Sequence, residues 1–193
     1  MTPRLIALAD TPPQPWRNGG GVTRELLAWP DGGDWRVRIS VAEIEADGPF
    51  SAFPGVERWF AVLEGGGVAL TIDGTEHRCR AGDAPLSFSG EATVDCRLLQ
   101  GPSRDLNLML RGMAGTMQPV VANEAWASST RRCGLYALVA GRCHADATTT
   151  DIPADSLAWF SEAPAALRFQ PESATTKPVL GWWLTAGAKE PDA

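Results

Sequence analysis

Short apolar runs, each broken after a few residues by glycine, proline or aspartate, constrain this chain more than any other feature. Trp35-Arg36-Val37-Arg38-Ile39-Ser40-Val41-Ala42 alternates apolar and polar residues, the pattern of a strand with one face turned inward. Trp59 to Leu63 is continuously apolar, as in a strand covered on both sides, and Val68 to Ile72 follows directly after Gly65-Gly66-Gly67. Asp73-Gly74 then reads as a hairpin turn, because both residues tolerate a left-handed backbone. Thr93 to Leu99, Leu106 to Leu110, Leu135 to Ala140, Leu157 to Phe160, Ala166 to Phe169 and Val179 to Leu184 continue the series. The 20 glycines and 15 prolines suit strands joined by turns. Helix is expected only near Met113 to Ala127, and the tail after Ala186 is expected to fray. The fold class predicted is all-β.

The halves of the chain echo each other. Phe60-Ala61-Val62-Leu63-Glu64-Gly65 is followed by Gly82-Asp83-Ala84-Pro85-Leu86-Ser87-Phe88-Ser89. Tyr136-Ala137-Leu138-Val139-Ala140-Gly141 is likewise followed by Ala154-Asp155-Ser156-Leu157-Ala158-Trp159-Phe160-Ser161. Two units of this order predict a duplicated jelly-roll barrel, with an N-terminal unit over 1–112 and a degenerate C-terminal unit over 113–193.

Composition excludes some functions. The net charge of -6 leaves no basic footprint for nucleic acid. The apolar run at Leu5–Ala9 is too short for a signal segment, and none approaches membrane-spanning length. The expectation is a cytoplasmic protein without a membrane partner. Its four cysteines, at 79, 96, 133 and 143, have no C-x-x-C spacing and read as free thiols.

Pro15-Trp16-Arg17-Asn18-Gly19-Gly20-Gly21-Val22-Thr23-Arg24-Glu25 is an unusual string. Three glycines between polar and aromatic residues suggest a tight backbone path past something that approaches closely, the alternative being an ordinary glycine turn. With Asp47-Gly48-Pro49-Phe50-Ser51-Ala52-Phe53-Pro54-Gly55 and Asp105-Leu106-Asn107-Leu108-Met109, this string makes the chain resemble the HutD/Ves family. Arg17 stands where a lysine is more usual, and Leu106 where a phenylalanine is.

The resemblance implies a bicupin of the RmlC-like superfamily, two double-stranded β-helix barrels in one chain, without a metal or other cofactor. It implies binding of a small pathway acid such as formylglutamate or urocanate, and regulation of histidine utilisation. A cupin metal site commonly takes three histidines and a glutamate. This chain has only His77 and His144, and Arg58 stands near the place of the glutamate ligand. A cation there repels a metal and attracts an anion.

The expected ligand is therefore a small anionic metabolite, with Arg58 holding its carboxylate in the first barrel; the alternative for Arg58 is a surface or salt-bridged arginine at a strand start. Asn18, Thr23 and Glu25 are candidate polar contacts, although Asn18 also suits a turn cap and Glu25 a pairing with a nearby arginine. Trp16 is a candidate wall or a core residue, and Ser51 and Phe53 lie in the loop entering the barrel. Asp105 and Asn107 share a strand face with Met109, opposite Leu106, Leu108 and Leu110, and are expected to face the lumen. The second functional reading is a metal-independent isomerase or hydrolase using Glu25, Asp105 or His77, although no nucleophile–base pair has a recognised spacing. A third is a scaffold acting through an exposed strand edge, and a homodimer is compatible with any of these.

Overall fold

In a computed structural model, which describes residues 2–177 and 179–189, the chain folds as two β units. One unit comprises Pro12–Gly112; the other comprises Met113–Ala193 together with Met1–Thr11. The boundary expected from sequence needs one correction. The segment Arg4–Ala7 pairs antiparallel with Ser156–Phe160, Arg4 opposite Trp159 and Ala7 opposite Ser156, and so belongs with the C-terminal half. It covers a strand edge that the second half would otherwise leave open.

The first unit places a six-stranded sheet against a four-stranded one. The larger runs Gln14–Pro15, Gly21–Trp29, Val37–Ile44, Ser103–Arg111, Val56–Gly65, Leu86–Ser89. The smaller runs Gly48–Pro49, Val94–Leu98, Val68–Ile72, Thr75–Cys79. Ile44, Phe60 and Val62 from the larger sheet meet Val68, Leu70, Cys79, Val94 and Cys96 from the smaller in one buried cluster. Asp73 and Gly74, at φ +47° and +85°, close the predicted hairpin between Val68–Ile72 and Thr75–Cys79.

The second unit repeats the strand order. Arg132–Ala137 lies between Ser156–Phe160 and Gly181–Ala188, as Val56–Gly65 lies between Leu86–Ser89 and Ser103–Arg111. Gly141–Ala145 lies between Thr148–Ile152 and Leu167–Pro171, as Val68–Ile72 lies between Thr75–Cys79 and Val94–Leu98. The chain is therefore a duplicated jelly roll. The residue-by-residue echo is displaced, however. Phe60 faces the space between its sheets, whereas in the second unit Leu135 and Ala137 do so and Tyr136 between them does not. Side chains alternate along a strand, so a displacement of one residue reverses the face.

Two other expectations change. Met113 to Ala127 forms no helix; it carries the short strands Met113–Ala114, Met117–Pro119 and Ala125–Trp126. Among the described residues the helical element is a single 3-10 turn at Leu8–Asp10. The tail is ordered further than expected, since Gly181–Ala188 pairs through Ala188 with Met113; residues 190–193 lie outside the described residues.

The two interiors differ. In the second unit Leu135, Phe160, Phe169, Leu167 and Trp183 fill the space, and Trp126 stacks on Trp183 at 4.7 Å with ring planes 5° apart. In the first unit the corresponding space is left partly open and lined by polar groups.

Candidate functional site

Register builds the site. On Ser103–Arg111, Asp105, Asn107 and Met109 point to one face. Their partners on Val37–Ile44 are Ala42, Ser40 and Arg38, and Met109 faces Arg58 on Val56–Gly65. Leu106, Leu108 and Leu110 occupy the opposite face beside Val41, Ile39 and Val37, and all six are buried. The first face borders a cavity of about 610 Å³, of the size that holds a small molecule.

The residues on either side of the three glycines, Trp16, Arg17, Asn18 and Thr23, line the cavity. Gly19 has φ +72°, a conformation that disfavours side chains. Gly21 runs so close to the neighbouring strand that a Cβ would lie 2.2 Å from the Glu43 carbonyl oxygen. The Asn18 Oδ1 accepts from the Gly20 N–H at 3.0 Å, so Asn18 caps the turn while also lining the cavity. The Trp16 indole N–H donates to Thr23 Oγ1 at 2.8 Å, fixing a wall and a polar residue together.

Trp16, Asn18, Thr23, Ser51, Phe53, Arg58, Asp105 and Asn107 all border this one cavity. Arg17, Asn18 and Ser51 are exposed around it, whereas Arg58, Asp105 and Asn107 are 6%, 1% and 7% exposed. Glu25 does not line it. Its Oε2 accepts from Arg38 Nε at 2.6 Å, the pairing that was the alternative reading for Glu25. His77 lies on the Thr75–Cys79 strand and His144 in the second unit, and neither borders the cavity.

Two arginines flank Met109 in register, and their electrostatic situations differ. Arg38 has the Glu25 carboxylate. Arg58 has no carboxylate in contact: one nitrogen donates to Asn107 Oδ1 at 3.1 Å, and Nε is sealed from water without a partner. The guanidinium carbon lies 5.2, 5.6 and 5.0 Å from the ring centres of Phe50, Phe53 and Phe88. These faces attract a cation but do not cancel its charge. Burial lowers the Arg58 pKa to about 10; Asp105 opposes that shift and Arg38 adds to it.

Asp105 is the least exposed of the buried polar side chains that line the cavity. Its Oδ1 accepts from Asn107 Nδ2 at 2.5 Å, and Oδ2 has no partner. Burial pushes its pKa up to about 8 against the attraction of Arg58 and the Asn107 hydrogen bond. The lining offers one buried acid, two arginines at its inner wall and no imidazole or thiol. Among the described residues no group of three or more His, Cys, Asp or Glu side chains is arranged to hold a metal. None of the described helices is long and apolar enough to cross a membrane.

Sequence reasoning missed Arg38, Ser40, Phe50 and Phe88. The signal for the first two was present in the alternation of Trp35 to Ala42. Alternation alone places one face inward and assigns no role to the polar one, yet Ser40 is 2% exposed and borders the cavity.

Comparison with known proteins agrees with this architecture. The HutD family model matches residues 8–177. An uncharacterized 21.2 kDa protein in the hutC 3' region of Pseudomonas putida is 42% identical over 110 residues, which span 55% of this chain and 57% of that relative. Protein Ves of Cronobacter sakazakii is 31% identical over 154 residues, 79% of this chain and 84% of its own length. A conserved protein of unknown function from Pseudomonas aeruginosa PAO1, solved by crystallography, superposes with a TM-score of 0.84 at 28% identity, covering 96% of this chain and 98% of that one. A likeness to Bacillus subtilis oxalate decarboxylase, TM-score 0.64 at 9% identity over 100% of this chain and 79% of that one, concerns the fold alone. A match of the family model over most of the length, joined to a duplicated jelly roll, makes this chain a member of the HutD family.

Proposed function

We propose that the first unit binds a small carboxylate metabolite and that this binding, rather than catalysis, is the protein's task. The observation that carries the reading is the state of Arg58: a buried guanidinium bordering a cavity with no carboxylate in contact. An uncompensated buried charge costs several kcal/mol, and an entering carboxylate offsets that cost while accepting charge-assisted hydrogen bonds. Phe50, Phe53 and Trp16 supply apolar walls against which a short carbon chain can pack. Membership of the HutD family, and a relative in a hutC 3' region, support a place in histidine utilisation. The proposed ligands are acids of that pathway, N-formylglutamate or urocanate, and the proposed role is regulatory.

The test is thermal melting with each acid. The account expects a rise in melting temperature for at least one, absent in Arg58→Ala while that variant still melts cooperatively. A rise of the same size in Arg58→Ala contradicts the site.

A second reading, a metal-independent enzyme, draws on one observation: Asp105 is a buried acid with a pKa near that of a working proton donor. Product formation from either acid, lost in Asp105→Asn, favours it. Binding without turnover favours the first.

A further inference from the structure

Asn107 sits between a cation and an acid that do not touch each other. Its carbonyl oxygen takes an Arg58 hydrogen and its amide group faces Asp105 Oδ1. Since an amide presents one acceptor and one donor group, this orientation is the one that satisfies both neighbours. It also keeps Arg58 and Asp105 from forming an ion pair. An ionised Asp105, 1% exposed, would rest on one hydrogen bond from a neutral amide with Oδ2 bare. That arrangement penalises the carboxylate more than the protonated acid, whose hydroxyl at Oδ2 also lacks a partner but carries no charge.

We propose that Asp105 is a proton-carrying positioning residue that keeps Arg58 free for an incoming anion, so that ligand binding is thermodynamically coupled to the proton on Asp105. This rests on the carboxylate-binding reading of the same cavity and specifies how it is controlled. With Asp105 neutral, the positive charge of Arg58 is open to the ligand. With Asp105 ionised, the barrel holds its own negative charge close to Arg58, and a ligand carboxylate meets both a weakened attraction and a repulsion. The proton and the anion therefore favour each other, and by linkage each raises the affinity for the other. The ligand class follows: an acid that is fully ionised, with no ammonium group beside the carboxylate bound at Arg58.

The groups facing Asp105 are accounted for on each element packed against it. Arg58 comes from Val56–Gly65 and Arg38 from Val37–Ile44, the latter held by Glu25 of Gly21–Trp29. From the facing sheet come the thiols Cys79 and Cys96, whose pKa values of about 11 and 12 keep them neutral over the working range. Arg17 lies at the exposed rim. Arg58, lowered to about 10, starts to lose its own charge above about pH 9, so Asp105 is the group in this set whose charge changes most between about pH 7 and about pH 9.

The experiment titrates the protein calorimetrically with N-formylglutamate and with acetate, both fully ionised across the range, from about pH 7 to about pH 9, below the Arg58 titration. The expected association constant falls with pH, approaching tenfold per unit above the Asp105 titration, with a proton taken up on binding that shows as a dependence on buffer ionisation heat. Asp105→Asn presents the same neutral shape, because its amide oxygen can accept from Asn107. Its association constant, whatever its size at pH 7, is expected to stay level across the range, because the titrating proton is gone. A carbon-detected NMR titration of the apo protein is expected to show the Asp105 carboxyl changing charge near neutral to mildly alkaline pH. Measurable binding with the same slope in Asp105→Asn, or flat in the wild type, overturns the coupling and leaves the binding reading standing. An Asp105 carboxyl that titrates in the ordinary acidic range overturns the coupling without reference to any ligand. Absence of binding by folded protein at every pH overturns both.

Discussion

Arg38 and Arg58 stand on either side of Met109 in the same sheet, and only Arg38 has a carboxylate in contact, that of Glu25 at 2.6 Å. The pair shows how little residue type alone conveys. The same guanidinium is neutralised on one strand and left open on another, and the difference is the company each keeps. Arg58→Lys tests whether the open one acts as a bidentate fork or only as a charge. Lysine keeps a positive charge but loses the planar fork, and its amine gives up its proton more readily when buried. The expected result is at least about tenfold weaker carboxylate binding by calorimetry, a change of about 1.4 kcal/mol. Equal affinity shows that charge alone suffices.

Asn107→Leu removes the bridge between Arg58 and Asp105. Both lose a hydrogen-bond partner inside the barrel, which costs about 1–3 kcal/mol for each buried group left unsatisfied. Chemical denaturation is expected to show that loss with an unchanged denaturant slope. Asn107→Leu is also expected to bind carboxylates less tightly, because Arg58 is no longer oriented.

Asp105 gives stability a definite dependence on pH. Its folded pKa is raised to about 8, against roughly 3.9 in an unfolded chain. Below the unfolded value both states hold the proton and there is no penalty. Between the two values the unfolded chain ionises while the folded protein does not, so this group's contribution falls as pH rises, levelling off above about pH 8. Asp105→Asn removes the penalty. Its melting temperature relative to wild type is expected to rise from about pH 4 to about pH 8, measured by scanning calorimetry in parallel buffers. A constant difference across that range contradicts the assignment.

The glycine string makes a structural prediction. Gly21→Ala forces a Cβ to within 2.2 Å of the Glu43 backbone oxygen, and backbone cannot step aside as a side chain can. The expected loss exceeds about 2 kcal/mol, in the range of overpacked positions. Gly33→Ala, where a Cβ meets nothing within 4 Å, is the matched control and is expected to be near neutral or slightly stabilising.

The cysteines are expected to be inert. Burial raises Cys79 to about 11 and Cys96, Cys133 and Cys143 to about 12, leaving little thiolate at mildly alkaline pH. A chromogenic thiol reagent is expected to react slowly with native protein and to report all four after denaturation.

Much of the fold was legible because strands announce themselves locally. Alternation, apolar runs and the Asp73-Gly74 turn depend on neighbours in sequence, and the repeat of strand order follows from them. What was not legible depends on distant partners. Arg4–Ala7 joins the far half of the chain because Ser156–Phe160 offers it an edge, which no local pattern encodes. The displacement between Phe60 and Tyr136 likewise arises from pairing register. At the site, Asp105, Asn107 and Met109 could be placed on one face because three leucines marked the other. Arg38 and Ser40 could not, because a polar face lining a cavity and one facing water share the same alternation. The pairing of Glu25 with Arg38 was one of two open readings, and a register spanning two strands decided it.

The central claim is that Arg58 receives a carboxylate inside the first barrel. A crystal structure of the protein soaked with N-formylglutamate tests it most directly. The account predicts a carboxylate within hydrogen-bonding distance of the Arg58 guanidinium, walled by Phe50 and Phe53, with the second barrel still filled by Trp183 and its neighbours. Arg58 turned out to solvent over an interior closed by hydrocarbon, or the acid seated in the second unit, would contradict it.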